Sequence, residues 1–227
     1  MSAVAVKPLR LAVLISGRGS NLLTIARECQ AGRLPADVVV VVSDQPDAAG
    51  LPAARALGIA AVSVAADDFR PNGRFDKPAF EAAMAQVIDP HQPDLVVLAG
   101  FMRVLSADFV ARYAGRMVNI HPSLLPRHKG LHTHERALAA GDTEHGVSVH
   151  YVTAELDGGP VLLQARVPVL PGDDPASLSA RVQQQEHILY PMVIDWIARG
   201  RLQCIDGQAL LDGSPLREPL QLGPGAP

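Results

Sequence analysis

Cysteine is nearly absent from this sequence. Its 227 residues contain only Cys29 and Cys204, far apart, which argues against a disulfide framework or a thiolate zinc site. Long apolar runs are missing too, and none approaches the roughly 20 residues needed to span a bilayer. Behind Lys7 and Arg10, the apolar stretch Leu11–Ile15 is too short for the core of a signal peptide and leads into Gly17-Arg18-Gly19. Positive charge is not in excess: the formal net charge is -3, so no global basic field is available to hold nucleic acid. Apolar residues, by contrast, make up 48% and charged residues 19%, enough for a sizeable core and unlike a disordered chain. What remains is a globular protein expected to be soluble in a reducing compartment, the cytoplasm.

The first half alternates strand and helix signals. Leu11–Ile15, Val38–Val42, Ala60–Val64 and Leu95–Leu98 read as short strands, most of them apolar throughout and so buried on both faces. Between them, Asn21–Ala31 carries Leu22, Ile25, Ala26 and Cys29 at helical spacing. Ala48–Leu57 reads as a helix stopped by Gly58, and Phe80, Ala83, Met84, Val87 and Ile88 form a helix stripe. Such alternation implies right-handed crossovers and a doubly wound, mostly parallel α/β sheet, Rossmann-like in class.

The second half is less regular. Val118–Ile120 reads as a strand that delivers His121 at its end, and Pro122–Thr133 as a polar loop. Gly146–Val152 and Pro160–Val169 read as antiparallel strands joined by the turn Glu155–Gly159. Ser177–Ala198 reads as a long helix that Pro191 should kink or split. The expected organisation is one domain over residues 1–203, in halves 9–100 and 101–203. An extension, 204–227, follows, with a loose tail from Leu216 onward.

Three segments carry chemistry. Strand, Ser16-Gly17-Arg18-Gly19-Ser20-Asn21, then helix suits an anion, because glycine admits close approach and helix-start N–H groups are unpaired. A dinucleotide fingerprint needs a third glycine where Leu22 stands, so the loop fits one phosphate better than a pyrophosphate. A plain turn with Ser20 or Asn21 capping the helix would look the same. Next, Asn119 and His121 lie at i and i+2 and share a strand face, an amide donor beside an imidazole, suited to an oxyanion and a moving proton. They would equally close a strand against its loop. Asp157, in Leu156-Asp157-Gly158-Gly159-Pro160, is either an ordinary turn residue or a carboxylate that keeps a histidine protonated. Six of the eight histidines fall between His121 and His150. Without a nearby cysteine or a His-Glu-x-x-His pattern, a polar active-site loop and a satisfied strand histidine at His150 explain them better than a metal.

Taken together, these segments resemble the phosphoribosylglycinamide formyltransferase family, folate-dependent enzymes of purine synthesis. The likeness runs over residues 9–203. It rests on Leu14-Ile15-Ser16-Gly17-Arg18-Gly19-Ser20-Asn21-Leu22, Val97-Leu98-Ala99-Gly100-Phe101-Met102-Arg103 and Asn119-Ile120-His121-Pro122-Ser123-Leu124-Leu125-Pro126. It continues through Gly130-Leu131-His132-Thr133-His134, Glu155-Leu156-Asp157-Gly158-Gly159-Pro160 and Arg181-Val182-Gln183-Gln184-Gln185-Glu186-His187.

The resemblance implies that Gly19, Ser20, Asn21, Gln183 and Glu186 hold glycinamide ribonucleotide. It assigns catalysis to Asn119, His121 and Asp157. It lines a folate site with Met102, Arg103, Val104, Leu105 and Thr153, shared with Asn119 and Asp157. The cosubstrate implied is 10-formyltetrahydrofolate, with no metal, nicotinamide, nucleic acid or membrane partner; monomer and homodimer stay open. Near Phe69–Phe75 the family can place a folate-contacting arginine, and Arg70 and Arg74 compete for that role.

Methionyl-tRNA formyltransferase shares the formyl-transfer set but should bring an RNA-binding domain and basic surface. A formyltetrahydrofolate deformylase, using water in place of the amine, usually carries a further N-terminal domain, not expected here. A non-catalytic nucleotide-binding module would explain the glycine loop alone.

Overall fold

The computed structural model describes residues 7–223. Eight strands form the central sheet: β1 (Leu9–Ile15), β2 (Ala36–Ser43), β3 (Ala61–Ser63), β4 (Leu95–Leu98), β5 (Met117–His121), β6 (Glu144–Tyr151), β7 (Val161–Pro168) and β11 (Leu220–Gln221). Their spatial order is β11-β7-β6-β5-β4-β1-β2-β3. The strands β1 to β5 pair in parallel, whereas β6 runs antiparallel to both β5 and β7.

Strand periodicity builds two cores from one strand. On β1, Leu11, Val13 and Ile15 pack with residues of α1 (Ser20–Gln30), α2 (Gly50–Ala56) and α6 (Pro175–Ala198). Ala12 and Leu14 turn the other way, into a core shared with α3 (Lys77–Ile88) and α4 (Ala107–Arg112). Successive side chains point to opposite faces, so an unbroken apolar run buries both. The chain is therefore a mixed sheet with helices on both sides. Strand order reverses between β1 and β4, which opens a crevice at their carboxyl ends. The Ser16 loop and the Gly100–Leu105 loop meet there.

Three expectations need correction. Helix α6 is one continuous 24-residue element, and Pro191 does not split it. Losing one helical hydrogen bond and accommodating the ring costs about 3 kcal/mol. Burying Leu189, Tyr190, Val193 and Ile194 around it returns about 6–12 kcal/mol at 1.5–3 kcal/mol per side chain. Second, the boundary at 203 falls inside β8 (Leu202–Ile205), which forms a three-stranded sheet with β9 (Gln208–Leu211) and β10 (Ser214–Pro215). Third, the tail is ordered to Leu222: Leu220 and Gln221 pair with Leu163 and Gln164 at the edge of β7, while Leu216, Leu220 and Leu222 pack on the core. An edge strand offers unpaired N–H and C=O groups, and this segment takes them. Residues 224–227 lie outside the described residues. Two short helices, α4 and α5 (Thr133–Ala139), carried no clear sequence signal.

Candidate active site

The glycine loop is shaped by backbone packing. Helix α1 starts at Ser20 behind Gly19, which has φ 72 and contributes no side-chain cap. Neither Ser20 nor Asn21 caps the helix, so the capping explanation for those residues falls away. Gly50 supports the loop from α2: its N–H donates to the Gly17 carbonyl at 3.0 Å. A Cβ on Gly50 would press on Ile15 and approach the Gly17 carbonyl to 3.1 Å. A larger residue would crowd this crossing, a constraint no local pattern announces.

Helix α6 reaches the same loop. Gln183 Nε2 donates to Ser20 Oγ at 3.1 Å, and Asn21 Nδ2 donates to Glu186 Oε2 at 2.7 Å. Asn21 Oδ1 is buried and has no partner. The five residues expected to hold a ribonucleotide thus form one connected patch: helix-start N–H groups beside a carboxyl and two amides.

Burial raises the Glu186 carboxyl above its ordinary value, opposed by the Asn21 amide. Between its unfolded and its raised folded pKa, the native state binds more protons than the unfolded chain. Stability from this group therefore falls as pH rises through the folded pKa. Glu186→Gln should remove that fall. Urea unfolding from pH 4 to 8 checks it, and parent and variant curves that stay parallel would contradict it.

The three residues expected to be catalytic, Asn119, His121 and Asp157, come together at the carboxyl end of β5. Register pairs Asn119 with His150 and His121 with Ser148 across the antiparallel β5–β6 ladder, so four polar residues share one sheet face. Ser148 Oγ donates to the Ser123 carbonyl at 2.7 Å and accepts from the Leu125 N–H at 3.0 Å, which fixes the loop after β5. Asp157, at φ 47 in the β6–β7 turn, faces both histidines. Its Oδ2 lies 3.5 Å from His121 Nδ1 and its Oδ1 lies 3.7 Å from His150 Nε2. Oδ2 also accepts the Gly130 N–H at 2.8 Å.

Tautomers follow from these partners. A carbonyl can only accept, so His150 Nδ1 carries the proton shared with the Tyr151 carbonyl at 2.9 Å. Burial lowers the His150 pKa, and its neutral Nε2 then accepts from Asn119 Nδ2 at 3.1 Å. By the same reasoning His121 Nε2 donates to the His128 carbonyl at 3.0 Å. Sequence reasoning took His150 for a satisfied strand histidine. It is satisfied, and it also orients Asn119.

The cleft beside the trio is lined by Leu98, Phe101, Arg103, Val104, Leu105, Asn119, His150, Thr153 and Asp157, among others. Of the residues expected on the folate side, Met102 stays on the rim, 64% exposed. Arg103 lines the cleft while its Nε donates to Asp44 at 2.6 Å. Arg70 pairs with Asp67 at 2.9 Å and stacks on Phe75.

The remaining histidines form contacts of their own. His134 and His145 touch at 3.2 Å; burial pushes His145 down to about 4 and lowers His134, so they meet as neutral rings. His128 bonds Asp142 at 2.7 Å. Among the described residues, no group of three or more His, Cys, Asp or Glu is arranged to hold a metal ion. No helix among them is long and apolar enough to cross a membrane.

Known proteins are similar to this chain in sequence and fold. The phosphoribosylglycinamide formyltransferase of Escherichia coli is 51% identical over 92% of this chain and 96% of its own length. A solved phosphoribosylglycinamide formyltransferase from Coxiella burnetii superposes with a TM-score of 0.86, is 48% identical, and covers 94% of this chain and 99% of itself. A formyltetrahydrofolate deformylase from Pseudomonas syringae superposes at 0.82 with 25% identity, over 91% of this chain and 67% of itself. Residues 9–194 match the formyl transferase family, a stretch that contains the glycine loop, the β5 pair, Asp157 and Glu186, and the chain belongs to that family.

Proposed function

We propose that this protein transfers the formyl group of 10-formyltetrahydrofolate to the amine of glycinamide ribonucleotide, a step of de novo purine synthesis. The observation that carries the reading is that two sites meet at one strand edge. The Gly19 loop, tied to Gln183 and Glu186, offers a seat for a phosphorylated ribose. Asn119 and Asp157 border the adjoining cleft, and His121 stands behind them with Nδ1 3.5 Å from Asp157 Oδ2.

The chemistry needs no enzyme nucleophile, since a neutral amine attacks the formyl carbon itself. The carbonyl electron pair moves to oxygen, and the oxyanion is held by N–H donors of Asn119 and of His121 in its imidazolium form. Asp157 faces His121 Nδ1 and balances that charge. In this account the formyl oxygen replaces the His128 carbonyl at Nε2. The bond from the formyl carbon to folate N10 then breaks, and the proton lost by the amine ends on N10, carried by His121 or water. Nothing is oxidised or reduced, so no nicotinamide takes part, and side-chain donors do the polarising that a metal would otherwise do. Both substrates are charged small molecules, which fits a cytoplasmic enzyme.

A hydrolase on the same fold would deliver water to the formyl carbon and would have no use for the Ser20–Gln183 and Asn21–Glu186 patch. The test is folate release from a 10-formyl folate, followed spectrophotometrically with and without glycinamide ribonucleotide. Release that requires the ribonucleotide is expected. Release without it would make the protein a deformylase, and no release in either tube would leave a binding module.

A further inference from the structure

We propose that Asp44, which lies outside the catalytic set, is a positioning residue for the cosubstrate side of the cleft. It acts through Arg103. This inference rests on the cleft being the formyl-folate site.

The segment after β4 alternates in exposure. Met102 and Val104 stand 64% and 58% exposed, whereas Arg103 is half-buried and Leu105 buried between them. Arg103, Val104 and Leu105 all line the cleft, and of these Arg103 and Leu105 are the ones that root the segment in the protein. The Arg103 root is an ion pair with a carboxylate from the end of β2. Nε meets Asp44 Oδ2 at 2.6 Å, and the Asp44 side chain is only 2% exposed. The guanidinium also lies over two aromatic faces, 5.1 Å from the Phe75 centroid and 5.6 Å from that of Phe80. Arginine suits such a seat, being planar, always charged and able to stack.

Other ties hold the ends of the segment. Ser16 Oγ accepts the Met102 N–H at 2.8 Å, and Glu81 accepts the Ser106 N–H at 2.7 Å. The Asp44 pair is the tie between them that is ionic and buried. Asp44 Oδ1 has no partner at all, so the carboxylate's charge is answered on one side only, by Arg103 and by Gln45 Nε2 at 3.1 Å. Removing either charge leaves the other poorly compensated, a costly state away from water. The segment then loses its registration against Asn119 and Asp157 across the cleft. The ribonucleotide patch, held by α1 and α6, shares none of these contacts.

The experiment is a double-mutant cycle of Asp44→Asn and Arg103→Met, with tetrahydrofolate and glycinamide ribonucleotide binding each measured by calorimetry and KM and kcat by the release assay. Each single variant should weaken folate binding and raise folate KM about tenfold, the equivalent of 1.4 kcal/mol, with ribonucleotide binding unchanged. The double variant should be no worse than either single one. A large loss for Arg103→Met with almost none for Asp44→Asn would mean that the guanidinium contacts the ligand directly, and would overturn the proposal. Equal weakening of both ligands would reduce the pair to a general stability element and overturn it too. A parent protein that binds no folate would remove the functional reading itself, a result distinct from either.

Discussion

Replacing His121 with alanine is expected to lower kcat by about 10²–10⁴, the range for losing a positioned donor that also moves a proton. Ribonucleotide KM should change by no more than roughly twofold, because the lost interaction belongs to the transition state and not to ground-state binding. The geometry explains the split. His121 sits on β5 with Nδ1 toward Asp157, while the glycine loop and its partners Gln183 and Glu186 contact other residues. The side chain is buried at a strand end, so the truncation leaves Asp157 with the Gly130 N–H as its closest donor. Steady-state kinetics with both substrates varied would check the prediction. Near-normal kcat for His121→Ala would remove this residue from the mechanism, and a loss confined to KM would make it a binding group.

The second large effect concerns a glycine. Gly159→Ala should destabilise the protein by about 2 kcal/mol, an overpacking cost, and lower Tm by about 4–8 °C in a chain of this size. A Cβ on Gly159 would overlap the Tyr151 carbonyl oxygen and come within 3.0 Å of Thr153 Cγ2. The carbonyl is not free to move: Tyr151 is in the β6 ladder, and its oxygen accepts the N–H of His150 Nδ1 at 2.9 Å. Displacing that carbonyl would free the His150 tautomer, and with it the Asn119 amide held on Nε2 at 3.1 Å. Turnover should therefore fall further than the fraction of unfolded protein accounts for. Thermal unfolding together with kcat, measured well below the variant's Tm, separates the two effects. A lower Tm with unchanged kcat would break the chain from Gly159 to Asn119, and no change in either would mean that the turn has room to give.

Much of this architecture is local in origin. Apolar runs with β-branched residues mark β1, β2 and β4, the helix stripes follow their 3.6 period, and the alternation of the two makes a doubly wound sheet. The Asn119–His121 pair was legible as well, because a strand's period of two puts i and i+2 on one face whatever lies beyond. Shared motifs then pointed to the formyl transferase family. The split that Pro191 could have caused in α6 is absent for a related reason. Local chemistry opposes proline inside a helix, and only the burial of the surrounding α6 face reverses the balance.

What the sequence could not supply was who meets whom across the sheet. His150 faces Asn119 because β5 and β6 pair in one register and not the next, and a shift of one residue would turn it to the opposite face. Asp157 looked like an ordinary turn residue until that turn folded back over the end of β5. Asp44, Arg103 and Gly50 come from separate segments whose neighbours carry no sign of their partners. The elements, their order and the strand face bearing Asn119 and His121 were set by short-range periodicity, which a sequence displays. The charge pairs, tautomers and close backbone crossings that turn that face into a site were decided by strand register and long-range packing, which exist only once the sheet has closed.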